Sequence, residues 1–379
     1  MIPIALPFLG AEEADAARDA VLSGWVSQGP QVAAFEREFA TLVGAAHATA
    51  VSNCTTALHL ALVAANVGVG DEVITASHSF IATANCIKYV GGVPVFVDID
   101  PDTYNIDPVR VEEAITGRTR AIIAVHQMGM PCDLTALVEI ARRHGLILIE
   151  DAACAAGSEI SFNGKWERIG KAHGHITCFS FHPRKIITTG EGGMLTTSDP
   201  GLDRQFKLLR QHGMSVPDTV RHGSAQVIFE EYLDVGFNYR MTDMQAAVGR
   251  KQIQRLDEIV ARRRHLADRY QELLGNIDGL RLPSEPAWGR SNWQSYCVRL
   301  PSRVDQKTVM QNLLDQGIAS RRGIMCSHRE APYRDTSRCH DLRQSELAQD
   351  HAIILPLYAQ LVEEQQIRIA EALRIELHA

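Results

Sequence analysis

Leu146-Ile-Leu-Ile-Glu-Asp151-Ala-Ala and Cys178-Phe-Ser-Phe-His-Pro-Arg-Lys185-Ile-Ile-Thr-Thr-Gly-Glu-Gly-Gly193 each begin as an apolar run and close on a charged group. Runs this short and this uniformly apolar predict strands buried on both faces, as in a parallel sheet. An aspartate ending one strand and a lysine just past another meet at the carboxyl edge of such a sheet, where open α/β folds place their ligands. That pair suits pyridoxal phosphate (PLP), which takes a lysine for its Schiff base and an acid facing its pyridinium nitrogen.

Working outward, strands at 47–52, 72–76, 93–97 and 121–125 alternate with helices at 56–66, 81–89 and 134–144. The alternation predicts a mostly parallel sheet covered on both faces, an α/β large domain. Upstream lie a short helix near 12–22 and an amphipathic one carrying Val32, Phe35, Phe39 and Val43. Near Thr242 a long helical pattern begins and runs past Arg264 towards Leu274. Beyond Gly275 a strand at 296–300 and helices at 306–315 and about 363–377 are too little for a second doubly wound unit. The expected division is an N-terminal arm (1–15), a PLP-binding large domain (16–250) and a small α+β C-terminal domain (251–379).

The 379 residues are 45% hydrophobic and 22% charged, as in an ordinary soluble chain with a sizeable core. A net charge of -7 argues against nucleic acid as the main partner. Eight scattered cysteines with no C-x-x-C pair make neither a disulfide framework nor a zinc pattern, so a cytoplasmic home is expected. The 15 histidines show no metal-ligand spacing, and no metal is expected. Met1-Ile-Pro-Ile-Ala-Leu-Pro7 lacks the basic start of a signal peptide. No apolar run reaches membrane-spanning length.

Each candidate residue also has a bland reading. Lys185 is either a surface lysine in a glycine-rich loop or, just past buried structure, a nucleophile for an aldehyde. Asp151 is either a turn cap or the acid at the ring nitrogen. Asn53-Cys-Thr55-Thr56, after a strand and opening a helix, offers a plain threonine N-cap or a phosphate site at a helix N-terminus. Ser180, alternating out of its strand, adds a hydroxyl. Phe80 is either core or a stacking ring. Gly68-Val-Gly70 precedes its strand instead of following one, so it is not a dinucleotide fingerprint.

Taken together these residues resemble the DegT/StrS-type nucleotide-sugar aminotransferases, which implies the fold-type-I PLP transferase fold for the large domain. The matching segments are 23–30 (Ser-Gly-Trp-Val-Ser-Gln-Gly-Pro), 67–74, 94–100, 150–153, 179–185, 188–193 and 236–243. The resemblance implies that Lys185 carries the Schiff base and that Asp151 pairs with the ring nitrogen. It puts Phe80 on the ring face, Cys54 and Thr55 at the phosphate turn and Ser180 at the phosphate hydroxyl. Asn238 matches an asparagine that reaches the phosphate from the neighbouring subunit, so a homodimer with shared active sites is expected. His328 resembles a histidine bordering the sugar pocket; Trp25, within the first matching segment, is a further substrate-site candidate. Arg321 and Arg322 are candidates for a nucleotide diphosphate, or simply a solvated pair. One position departs: Cys154 stands where many members have Gln, His or Glu beside the cofactor's ring hydroxyl, and a thiol is a weak hydrogen-bond partner.

The implied activity moves an amino group from L-glutamate to a keto group, at C4 or C3, of a nucleotide-activated deoxyhexose. Such chemistry serves amino-sugar and hence lipopolysaccharide or polysaccharide biosynthesis. Relatives that replace the lysine with histidine deoxygenate sugars instead, and Lys185 argues against that branch. An aminotransferase acting on an aminocyclitol ketone and a non-catalytic PLP-binding sensor are the alternatives.

Overall fold

The computed structural model describes residues 1–216, 220–221, 224–335 and 337–378. In chain order the strands are β1 (His47–Val51), β2 (Glu72–Ala76), β3 (Val93–Val97), β4 (Thr119–Val125), β5 (Ile147–Asp151), β6 (Glu159–Phe162) and β7 (Lys165–Arg168). They continue with β8 (Ile176–Ser180), β9 (Gly193–Thr197), β10 (Gly289–Arg290), β11 (Tyr296–Arg299), β12 (Arg321–Arg322), β13 (Arg338–Cys339) and β14 (Ala352–Leu355). One eight-stranded sheet runs β1-β9-β8-β5-β4-β2-β3-β13. Only β9 opposes its neighbours, β1 and β8; the other pairs are parallel.

Both faces of this sheet are buried, which is why its strands read as unbroken apolar runs. Successive residues point to opposite sides. Ile74, Ile122, Leu148 and Phe179 enter one core with Phe35 and Phe39. Val73, Ile123, Ile149 and Cys178 enter the other, against Leu58 and Leu62 of helix Cys54–Ala64. Each large apolar side chain so buried contributes roughly 1.5–3 kcal/mol relative to exposure.

A separate core gathers Tyr270 and Leu274 of helix Leu256–Leu274, Val298, Leu355 and Leu373 around the three-stranded sheet β11-β14-β12. Ile2 joins it, its amide donating to the Gly317 carbonyl at 2.8 Å. The N-terminal half of helix Leu256–Leu274 packs instead on the first core through Leu256, Ile259 and Val260, so this helix ties the two together.

Several elements differ from the sequence reading. The long helix expected from Thr242 is two helices, Asp243–Gln254 and Leu256–Leu274. The break falls at Arg255, which lies 3.8 Å over the Phe8 ring and 3.4 Å from Glu13 of the N-terminal segment. The helix expected from Thr56 starts at Cys54, because Asn53 caps it by accepting the Thr56 amide at 2.9 Å. Between Asp151 and Lys185 stands a β6–β7 hairpin, turned at Asn163-Gly164 with φ of 50° and 77°. Gly193 opens a strand, β9, and the C-terminal part holds a further helix, Arg343–His351.

Candidate active site

β8, β5, β4 and β2 lie side by side, and their carboxyl ends form one edge. Asp151 closes β5 at its centre, 4% exposed. One carboxylate oxygen accepts the Ala153 amide (3.1 Å) and the other the Thr83 hydroxyl (2.9 Å). Burial lifts the Asp151 carboxyl above the usual carboxylate range, against the opposing pull of those two donors and of Lys185.

Lys185 sits five residues past β8, in a loop folded back on Phe181. The Phe181 carbonyl accepts the Thr189 amide (3.0 Å) and the Thr188 hydroxyl (2.8 Å), while its own amide donates to Gly192 (2.9 Å). The loop therefore holds the lysine against the sheet edge. Lys185 Nζ donates to Cys154 Sγ at 3.1 Å. Burial works against its charge, yet Cys154, Cys54 and Asp151 together hold the ammonium above the ordinary lysine value.

Asp151, Lys185, Cys54, Thr55, Phe80, Cys154, Ser180 and Arg321 all line one cavity of about 680 Å³. Phe80 is 61% exposed, an apolar ring standing at the cavity instead of in a core. The first turn of helix Cys54–Ala64 faces this space, and its leading amides have no carbonyl four residues earlier to take them. Gly193 allows that turn to lie against β9: a Cβ there would fall 2.5 Å from the Asn53 carbonyl and 2.8 Å from the Cys54 nitrogen.

Behind Asp151 lies a second buried pair. His126 accepts the Cys132 amide on Nδ1 (3.0 Å), so its proton sits on Nε2, which faces Glu150 at 3.2 Å. Burial would raise the Glu150 carboxyl, but His126 and the Gly174 amide outweigh it and hold it low. The His126 amide donates to the Asp151 carbonyl (3.0 Å), which fixes the end of β5 from the β4 side.

Four expected site residues lie off the cavity lining. His328 Nδ1 is 2.7 Å from the Ser77 hydroxyl and its Nε2 is 3.1 Å from Glu346, so it braces the end of β2. Asn238 is exposed and bridges to Gln211. Trp25 packs near Gly29, whose Cβ would lie 2.8 Å from its ring. Arg322 lies 3.9 Å from Glu330, away from the lining. The sequence reading missed Thr83, Gln127, Arg184 and Gln294, which line the cavity, and Asn292, which holds the Cys154 carbonyl at 2.8 Å. Thr83 carried a signal: Ser79 and Thr83 are four apart astride Phe80.

The arrangement fits PLP. An amine and an acid share one cavity, an aromatic ring stands beside them, and a helix N-terminus offers a phosphate its amides. Among the described residues no group of histidine, cysteine, aspartate and glutamate could hold a metal ion, and no helix is long and apolar enough to cross a membrane.

The family model of the DegT/DnrJ/EryC1/StrS aminotransferases matches residues 7–374. The spore coat polysaccharide biosynthesis protein SpsC of Bacillus subtilis is 44% identical over 306 residues, 81% of this chain and 76% of that protein. The aminotransferase TlmJ of Streptoalloteichus hindustanus superposes with a TM-score of 0.91 at 34% identity, covering 100% of this chain and 99% of that one. The putative sugar aminotransferase Spr1654 of Streptococcus pneumoniae, in its PLP form, gives a TM-score of 0.90 at 25% identity, covering 100% and 98%. With an amine, an acid and a helix N-terminus already at one cavity, these matches are decisive: the chain belongs to the DegT/DnrJ/EryC1/StrS aminotransferase family and is a PLP-dependent aminotransferase.

Proposed function

We propose that this enzyme moves an amino group from L-glutamate to the keto carbon, C4 or C3, of a nucleotide-activated deoxyhexose. The observation that carries the reading is the single cavity shared by Asp151, Lys185, Phe80 and the Cys54–Thr55 turn. Its volume of about 680 Å³ is in the range of sites that enclose a cofactor and part of a second ligand. Arg184 and Arg321 line it as well and supply positive charge for a diphosphate in a chain of net charge -7. The names of SpsC and Spr1654, a polysaccharide biosynthesis protein and a putative sugar aminotransferase, support a sugar acceptor.

When bound, PLP supplies an electron sink for the carbanion formed at the amino donor. Asp151 would face the ring nitrogen and keep it protonated, and Phe80 would cover one ring face. The Cys54 and Thr55 amides and the Ser180 hydroxyl would hold the phosphate. Lys185 would hold the cofactor through its amine and, once free, would carry the proton from the donor's α-carbon. Gln, His or Glu is the common neighbour of the ring hydroxyl, and here Cys154 takes that place.

Each site is completed by a second copy of the chain, with Asn238 reaching the partner's phosphate. Asn238 stands off its own cavity, and Val227, Phe229 and Val235 just before it are 84%, 89% and 84% exposed. A run of exposed apolar residues is the mark of a surface that another chain covers. Co-refolding Lys185→Ala protein with an Asn238-disrupted variant is expected to restore one working site per mixed dimer. No recovery in mixed dimers confirmed by mass would remove Asn238 from a shared site.

The decisive experiment separates the two half-reactions. Glutamate alone is expected to convert the bound cofactor to its pyridoxamine form, and a nucleotide-linked keto-hexose to return it. A cofactor spectrum unmoved by glutamate contradicts the donor assignment. A pyridoxamine form that nucleotide keto-sugars fail to discharge, but an aminocyclitol ketone discharges, contradicts the acceptor.

A further inference from the structure

Asp151 is approached from one side by a chain of two hydroxyls. Thr83 Oγ1 lies 2.9 Å from Asp151 Oδ2, and Ser79 Oγ lies 2.9 Å from Thr83 Oγ1. Ser79 is 1% exposed and Thr83 2%, so water does not compete for either bond. An ionised carboxylate accepts only. Thr83 therefore spends its proton on Asp151, and its oxygen is left to accept from Ser79. Both hydroxyl protons point along the chain towards the carboxylate. Were Asp151 protonated on Oδ2, its own hydrogen would meet the Thr83 hydroxyl and the chain would have to reverse.

The same turn carries Phe80. Ser79 and Thr83 flank it, and the Thr83 amide donates to the Phe80 carbonyl at 3.1 Å. A single four-residue turn thus both presents the aromatic ring to the cavity and reaches the acid at the end of β5.

We propose that Thr83, backed by Ser79, is the positioning residue that fixes Asp151 as an anion aimed at the cofactor's ring nitrogen. The inference rests on Asp151 being the ring acid. Without the Thr83 donor the carboxylate gains affinity for the proton it shares with the ring nitrogen. The proton then moves from nitrogen towards oxygen, and the ring withdraws electrons less strongly. Thr83 touches neither substrate nor reacting atoms in this role; it acts through Asp151.

The test reads Asp151 directly, in protein stripped of cofactor, by carbon NMR of [4-13C]aspartate-labelled chains, with Asp151→Asn to assign the resonance. Thr83→Val keeps the shape and removes the hydroxyl. Its Asp151 midpoint is expected to rise by about one pH unit, the scale of losing one hydrogen bond to the charged form. Ser79→Ala should raise the midpoint by less, since Thr83 still donates. Thr83→Ser should return it to the wild-type value, and kcat of the loaded enzyme should fall and recover in the same order. Rebinding of PLP shows that each stripped chain has kept its fold. Should Thr83→Val not fold, Ser79→Ala and Thr83→Ser carry the comparison. A midpoint unmoved by Thr83→Val, or by Ser79→Ala in its stead, makes the hydroxyls merely structural and overturns the proposal, as does a Thr83→Ser midpoint that stays displaced. The Asp151 midpoints involve neither glutamate nor a sugar, so failure there is distinct from failure of the donor and acceptor assignments.

Discussion

Lys185 Nζ and Cys154 Sγ lie 3.1 Å apart, the amine donating and the thiol accepting, inside the cavity that both line. The thiol holds the lysine in its charged form, whereas capture of an aldehyde needs the neutral amine.

Removing that partner should free the amine. In Cys154→Ala the Lys185 ammonium loses the contact that raises its pKa, and more of it is neutral near pH 7.5. Stripped Cys154→Ala protein is expected to take up PLP roughly two- to fivefold faster than wild type, read by stopped-flow absorbance. An equal or slower rate would show that the thiol does not govern the lysine.

Asp151→Asn replaces an anion with a neutral amide of nearly the same shape. The variant should still bind PLP, because the helix N-terminus and the lysine are untouched. Its turnover should fall roughly 10²-fold or more, the usual scale for losing one preorganised charge, here the anion that keeps the ring nitrogen protonated. Near-wild-type turnover in steady-state assays would reduce Asp151 to a turn cap.

His78 is fully buried, with no hydrogen-bond partner on either ring nitrogen among the described residues and its ring 5.7 Å from that of Tyr104. Burial pushes its pKa down to about 3. An unfolded histidine titrates near 6.5, so the unfolded chain takes up the proton first as pH falls. The stability this neutral ring permits is complete above about pH 6.5 and is lost progressively from there towards 3. By pH 5 the loss is about 2 kcal/mol. In His78→Leu the fall in unfolding free energy between pH 7 and pH 5, from urea titrations, should be smaller than in wild type by about that amount. An identical fall in both proteins would show that His78 is hydrated or paired in solution.

How much of this was legible in the residues depends on how local each cause is. The large sheet was readable because burial on both faces forces continuous apolar runs, and Asp151 and Lys185 followed from the ends of two of them. The β6–β7 hairpin had a local signal too, Asn163-Gly164, but its strands are short and its outer face polar, so periodicity alone passed over it. The partners of Arg255 at the helix break, Phe8 and Glu13, lie more than 240 positions away in sequence. His328 shows the same limit. The resemblance set it beside a sugar pocket, and its contacts with Ser77 and Glu346, 251 and 18 positions distant, had no signal in the sequence. Side-chain partners that fold in from far along the chain decide such roles, and no spacing rule reaches them.

The central claim is that Lys185 is the amine that carries the cofactor, and it can be read from one peptide. Borohydride reduction of the yellow, PLP-loaded enzyme fixes the cofactor to whichever lysine holds it; proteolysis and mass spectrometry then locate the added phosphopyridoxyl group. The expected result is a single modified peptide bearing the group on Lys185, absent from Lys185→Ala protein treated in the same way. A group found on another lysine, or a cofactor released unreduced from a wild-type enzyme that turns over, would contradict it.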